Sequence, residues 1–175
     1  MALVKPYVAK AIPTNWLINA AHETTLTIYL PASLVVTSNL KNDCKDLNWP
    51  VNLFFCSLIN DAKKSVCIID PYFDTKGLRI VEKINKDNID VTIIISKQAG
   101  LNEHDIELFE KQYFPVRVFV NNDIHDRFIV MDNEVIYSNG TSFNYMGRKL
   151  FHVSRVTTDR LKTSILNIVN DTITK

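Results

Sequence analysis

The run His125-Asp126-Arg127-Phe128-Ile129-Val130-Met131-Asp132, followed by Gly140-Thr141-Ser142-Phe143-Asn144, decides how this chain is read. Its apolar middle reads as a strand. A second apolar run at 135–137 follows after Asp132-Asn133-Glu134, a turn-rich spacing that predicts an antiparallel hairpin. In a strand successive side chains alternate faces, so His125 and Arg127 are expected to project together, with Cα atoms roughly 6 to 7 Å apart. That spacing suits one anionic group held between them. A guanidinium offers a planar fork of donors matched to phosphate oxygens, and an imidazole attacks or protonates near neutral pH. Downstream, Gly140 permits a close backbone approach or an unusual φ. Ser142 is placed to cap a short helical turn whose free N–H groups and hydroxyl receive an anion, and Asn144 adds a neutral donor. A histidine beside a strand also serves structurally, and these residues on their own leave that reading open.

Outward from this segment, strand and helix patterns alternate from Pro50 onward, the mark of an α/β domain. Val51, Phe54, Phe55, Leu58 and Ile59 share a helical face, with Pro50 suited to the first helical position. Residues 65–70 (SVCIID) read as a buried strand, 77–86 as a helix through Leu78, Val81 and Ile84, and 91–95 as a central parallel strand rich in β-branched side chains. A helix is expected at 102–113 with Ile106, Phe109 and Tyr113 inward, then strands at 116–120 and 151–156. From Thr158 the stripe Leu161, Ile165, Ile168, Val169 and Ile173 predicts a closing amphipathic helix. Residues 1–49, interrupted by Pro6, Pro13 and Pro31 and with one strand expected at 26–30, are read as an N-terminal arm or edge segment of the same domain. Residues 50–175 are the α/β domain proper.

Composition excludes several classes. The 175 residues are 46% hydrophobic and 22% charged, with only 4 Gly and 6 Pro, which rules out a collagenous or largely disordered chain. A net charge of +1 shows no bulk footprint for a polyanion. No apolar run approaches the roughly 18 residues that span a bilayer, and no signal-peptide core opens the chain, so a cytoplasmic protein is expected. The three cysteines, Cys44, Cys56 and Cys67, are too few and too widely spaced for a disulfide framework or a paired-Cys metal site, and are read as buried thiols. His22, His104 and His152 are scattered without metal-ligand spacing, so no metal and no cofactor is expected. Asp70 and Asp74 flank the end of a parallel strand, where α/β ligands gather, but turn and helix-cap duty is the preferred reading. Lys63-Lys64 and Arg148-Lys149 are read as solvated charge pairs.

The order His125, Arg127, Asp132, Gly140, Ser142, Asn144 resembles the signature of the phospholipase D superfamily: His, any residue, Lys, four residues, Asp, then a Gly-Ser turn ending in Asn. The segment Ile68-Ile69-Asp70-Pro71-Tyr72-Phe73-Asp74 resembles a first-strand segment frequent in the same family. The resemblance implies one domain with a phospholipase D-like mixed sheet flanked by helices. It also implies a metal-independent phosphodiesterase in which one histidine attacks phosphorus and a second protonates the leaving oxygen. His125, Arg127 and Asp132 are then the catalytic residues, and Arg127, Gly140, Ser142 and Asn144 bind phosphate. With one motif per chain, two copies must meet so that their His125 side chains face each other, and a homodimeric nuclease acting on DNA or RNA is the leading expectation.

This sequence departs from that pattern in three places. Arg127 stands for Lys, the interval from Asp132 to the turn is slightly longer, and Tyr137, Ser138 and Asn139 occupy the place before the turn where nucleases of the family often carry an acid. These departures support a second expectation: a non-catalytic module, alone or within a larger polypeptide, that binds nucleic acid, a phospholipid membrane or a protein partner.

Overall fold

Ile68 lies beside Ile93 and Ile69 beside Ile94 where two apolar, β-branched runs pair in parallel, and this pair forms the middle of the sheet. The structure is a computed structural model that describes residues 27–30 (as backbone), 55, 58–84, 88–146 and 151–175. The described strands are β1 (Thr27–Leu30), β2 (Ser65–Ile69), β3 (Asp90–Ile95), β4 (Arg117–Val120), β5 (Phe128–Met131), β6 (Val135–Asn139) and β7 (Phe151–Arg155), and the described helices are α1 (Thr75–Val81), α2 (Glu103–Gln112) and α3 (Asp159–Ile173). The sheet order is β1-β7-β6-β5-β2-β3-β4. Strands β2, β3 and β4 are parallel, and every other pairing is antiparallel.

Two crossovers, β2-α1-β3 and β3-α2-β4, make the parallel half, and the expected hairpin β5-β6 makes the antiparallel half. Both faces of the centre are buried, which is why β2 and β3 read as unbroken apolar runs rather than as alternation. Val66, Ile68, Ile93 and Ile129 pack on one face with Phe55, Phe73, Ile80 and Phe143. Cys67, Ile69, Ile94, Val130 and Ile136 pack on the other with Ile165 and Val169 of α3. Phe55, Leu58 and Ile59 are helical and buried as expected, while Pro50, Val51 and Phe54 lie outside the described residues. The strand expected in the arm is β1, at the sheet edge beside β7; the remainder of 1–49 lies outside the described residues.

Local signals set the helix starts. Asp74 caps α1, its Oδ1 accepting the N–H groups of Lys76 (2.8 Å) and Gly77 (3.4 Å). Gly77 is required there, since a Cβ would lie 2.5 Å from Cε2 of the buried Phe73 ring. Asn102 and Asp105 form a capping box at α2. Two expected apolar stripes are corrected. Tyr113 ends α2 and is 43% exposed, so Phe109, with Ile106 partly buried, carries that helix against the sheet. In α3 the buried line is Ile165, Val169 and Thr172, and Leu161 and Ile168 stay exposed. Thr172 replaces an apolar residue on that line because its hydroxyl accepts from Asn121 Nδ2 (2.7 Å) and donates to the Ile168 carbonyl (2.7 Å).

Candidate active site

The C-terminal end of β2, the entry to β5 and the exit from β6 meet at one edge of the sheet, and the loops there converge on a buried carboxylate. Asp70 follows the last residue of β2, is fully buried, and donates its backbone N–H to the Ile94 carbonyl. Its Oδ1 accepts the Tyr72 N–H at 3.0 Å. Its Oδ2 accepts the Ser142 hydroxyl at 2.6 Å and the Phe143 N–H at 2.7 Å. Phe143 opens a single 3-10 turn, Phe143–Tyr145, whose leading amides have no partner within the turn. The chain therefore supplies its own anion at the place where sequence reading expected an external one. Burial pushes the Asp70 carboxyl up, while the Ser142, Phe143 and Tyr72 bonds and the Arg127 charge pull it down; the net shift is upward.

Arg127 joins this centre. Its Nε lies 3.9 Å from Asp70 Oδ1, too far for a hydrogen bond, and its guanidinium stands 5.5 Å from the centre of the Tyr72 ring. That Nε is buried and finds no acceptor among the described residues. The side chain is 25% exposed, so the guanidinium is held between its own carboxylate and solvent. Asn144 donates from Nδ2 to the Tyr72 carbonyl at 3.0 Å, leaving its second amide hydrogen, and its buried Oδ1 has no donor among the described residues. Asn139 shapes the turn: its N–H donates to the Arg127 carbonyl and its Nδ2 to the Thr141 carbonyl. Gly140 gives its N–H to the His152 carbonyl, and a Cβ there would lie 2.6 Å from the His152 Nδ1. Close approach of an imidazole, not an unusual φ, is what favours glycine at this position.

His125 is exposed and precedes β5, which begins at Phe128. Strand alternation therefore does not reach it, and the expected side-by-side projection with Arg127 has no strand to rest on. Its loop is nonetheless anchored just ahead of it. Asn121 bonds to Thr172, Asn122 Oδ1 accepts the Lys97 N–H at 2.9 Å, and Ile124 is buried. His125 makes no hydrogen bond or ion pair with a described residue.

Asp132 does not join the cluster. It sits at the far end of β5, five residues from Arg127, or roughly 16 Å along a strand. With Asn133 it has positive φ (54° and 55°), the conformation of a tight hairpin turn. Its carboxylate accepts the N–H groups of Lys63 (3.0 Å), Lys64 (2.7 Å) and Ser65 (3.0 Å). Burial raises this carboxyl, but the Ser65, Lys63 and Lys64 amides together hold it below its ordinary value.

The sequence pattern points to a rim or turn place for Asp70, which the structure sets at the centre of the site; Asp74 is a helix cap, as expected. The available signal was an acid closing an otherwise apolar strand, Ser65-Val66-Cys67-Ile68-Ile69-Asp70, because an ionised group at such a depth needs partners from elsewhere in the fold. Arg148 and Lys149 lie outside the described residues, as does His22, while His104 is exposed on α2. Among the described residues no three His, Cys, Asp or Glu side chains gather as a metal site.

A family model described as the phospholipase D-like domain of cardiolipin synthase matches residues 55–155, which span the parallel strands, the His125 segment and the Ser142 turn. The chain belongs to the phospholipase D superfamily. Among curated proteins it is 32% identical over 155 residues to a cardiolipin synthase of Halalkalibacterium halodurans, covering 77% of this chain and 30% of that protein. It is 33% identical over 121 residues to a cardiolipin synthase of Alkalihalophilus pseudofirmus, covering 62% and 23%. The chain thus spans less than a third of the length of these relatives. Among solved structures it resembles NucT from Helicobacter pylori (TM-score 0.59, 11% identity, 86% of this chain and 95% of that one). It also resembles Nuc, a phospholipase D family member from Salmonella typhimurium (TM-score 0.54, 19% identity, 86% and 94%). At these identities the two structures establish the fold, and the expected mixed sheet flanked by helices is that of the superfamily. His125, Arg127, Ser142 and Asn144 of the phospholipase D-like domain all fall at one sheet edge, with Asp70 among them.

Proposed function

We propose that this phospholipase D-like domain is a phosphodiesterase, acting on the phosphodiesters of DNA or RNA as a pair of chains. The observation that carries the reading is the convergence of Arg127 and Asn144, each with an unmet buried polar atom, beside an exposed His125. Arg127 and Asn144 hold the non-bridging oxygens, and the Gly140–Ser142 turn sets their position. A ring nitrogen of His125 attacks phosphorus, forming an N–P bond as the P–O bond to the leaving group breaks. An imidazole of the second copy gives its proton to the departing oxygen. Water then attacks phosphorus, the N–P bond breaks, and the second imidazole recovers a proton from that water. The likeness in fold to NucT and to Nuc, a phospholipase D family member, supports the phosphodiesterase reading; the cardiolipin synthase relatives make a phospholipid diester the competing substrate.

The test incubates purified chain with single- and double-stranded DNA, RNA, and phosphatidylglycerol vesicles, all in EDTA. Nucleic-acid cleavage that disappears in His125→Ala, from a protein sedimenting as a dimer, is the expected result. Turnover of lipid alone moves the substrate, and turnover of nothing refutes the reading.

A second reading is favoured by one contact. The Ser142 hydrogen and the Phe143 amide, which an active site of this kind would offer to phosphate, are already engaged by Asp70. A binding module predicts salt-sensitive association with DNA, RNA or anionic vesicles and no covalent phosphohistidine at His125.

A further inference from the structure

Ser142 owns a single hydrogen, and the 2.6 Å contact with Asp70 Oδ2 is the short distance of an O–H donating to a carboxylate. Both oxygens of Asp70 face N–H groups: Tyr72 and, more distantly, Arg127 at Oδ1, Phe143 at Oδ2. An amide in its place would turn its NH2 toward an N–H whichever way it flipped. The carboxylate is therefore built into the turn rather than placed beside it. It also reaches Arg127 by charge without taking a hydrogen bond from it, which leaves the guanidinium aimed but unspent.

We propose that Asp70 is a positioning residue of the phosphate site: it holds the Ser142 hydrogen and the leading amide of the 3-10 turn and sets Arg127 by charge, so that Arg127 and Asn144 meet the phosphate. The inference rests on the phosphodiesterase reading. It assigns Ser142 a different part from the one its motif position implies, since Ser142 acts on the substrate through Asp70. It also gives a signature that loss of structure does not. A buried negative charge beside the site repels phosphate, so neutralising it tightens phosphate binding even as the donors lose their aim.

The experiment uses the full chain as wild type, Asp70→Asn, Ser142→Ala and the double variant, with melting curves to fix the folded fraction. Three quantities are measured: affinity for inorganic phosphate by calorimetry, and kcat and KM on bis(p-nitrophenyl) phosphate. Asp70→Asn is expected to bind phosphate several-fold more tightly and to lower KM, while kcat falls on the order of 10²-fold, the cost of an ångström-scale misplacement. Ser142→Ala is expected to lower kcat in the wild-type background and to add nothing in the Asp70→Asn background, because the two act as one unit. The proposal is overturned if Asp70→Asn weakens phosphate binding, if it keeps its kcat, or if the two costs multiply. Absence of diester turnover by the wild type defeats the phosphodiesterase reading, and the same four proteins still decide for Asp70 through phosphate affinity alone. Asp70→Ser, which is smaller and carries no amide hydrogens, takes the place of the Asn variant if that one melts below the assay temperature.

Discussion

Replacing Asp132 by alanine should unfold the protein more readily without disarming it. Three backbone N–H groups lose their acceptor at once: Ser65, which is half-buried, and Lys63 and Lys64, which are exposed and can turn to water. A charged hydrogen bond to a half-buried donor contributes about 1.5 to 3 kcal/mol, and the two exposed ones about 0.5 kcal/mol each. Alanine at φ 54° adds strain of about 1 kcal/mol that Asp tolerates better. The sum is roughly 4 kcal/mol, which for a chain of this size lowers Tm by about 10 °C. Asp132→Asn keeps one acceptor and tolerates the same φ, so about a third of that loss is expected. Melting by circular dichroism measures both variants, and turnover per folded molecule is taken at 20 °C, where both are native. The pH dependence carries the sign. A carboxyl held below its ordinary value stabilises the fold at any pH above its unfolded pKa of 3.8, and that stabilisation is lost as pH falls through the lower, folded pKa. The Tm gap between wild type and Asp132→Ala should therefore be full at pH 7 and shrink in strong acid. A gap under about 2 °C at pH 7, or a folded Asp132→Ala that no longer turns over, would refute the assignment of this residue to the hairpin rather than to the chemistry.

Two further outcomes follow from packing. Gly77→Ala drives a methyl to 2.5 Å from the Phe73 ring, which is fully buried and cannot swing away, so a loss of about 1 to 3 kcal/mol is expected; an unchanged Tm would show that Phe73 has room. Burial pushes the Cys67 thiol up to about 12 against a smaller pull from Arg117, so in a Cys44→Ser, Cys56→Ser background the native protein should not react with a thiol reagent at pH 8 and should react once denatured. Fast labelling of the native form would mean that the α3 face of the sheet opens.

The sequence by itself determined the order of elements and the family. Residues 65–69, 90–95, 117–120, 128–131 and 151–155 are strands because runs of β-branched and aromatic side chains, bounded by turn residues and helix caps, leave the backbone little else to do. The His125-to-Asn144 order was likewise legible, since a motif is a statement about spacing along the chain. Helix faces were legible only in part: a stripe predicts which residues could be buried, and Leu161, Ile168 and Tyr113 stayed exposed because the sheet beneath covers only part of each face. The site's centre was decided by tertiary structure alone. Asp70 stands 72 residues from Ser142 in sequence and 2.6 Å from it in space, whereas Asp132, five residues from Arg127, lies at the opposite end of the same strand. The physical reason is that a strand carries its residues apart at about 3.3 Å each while the sheet brings the ends of distant strands together, so closeness along the chain and closeness at the site are independent quantities.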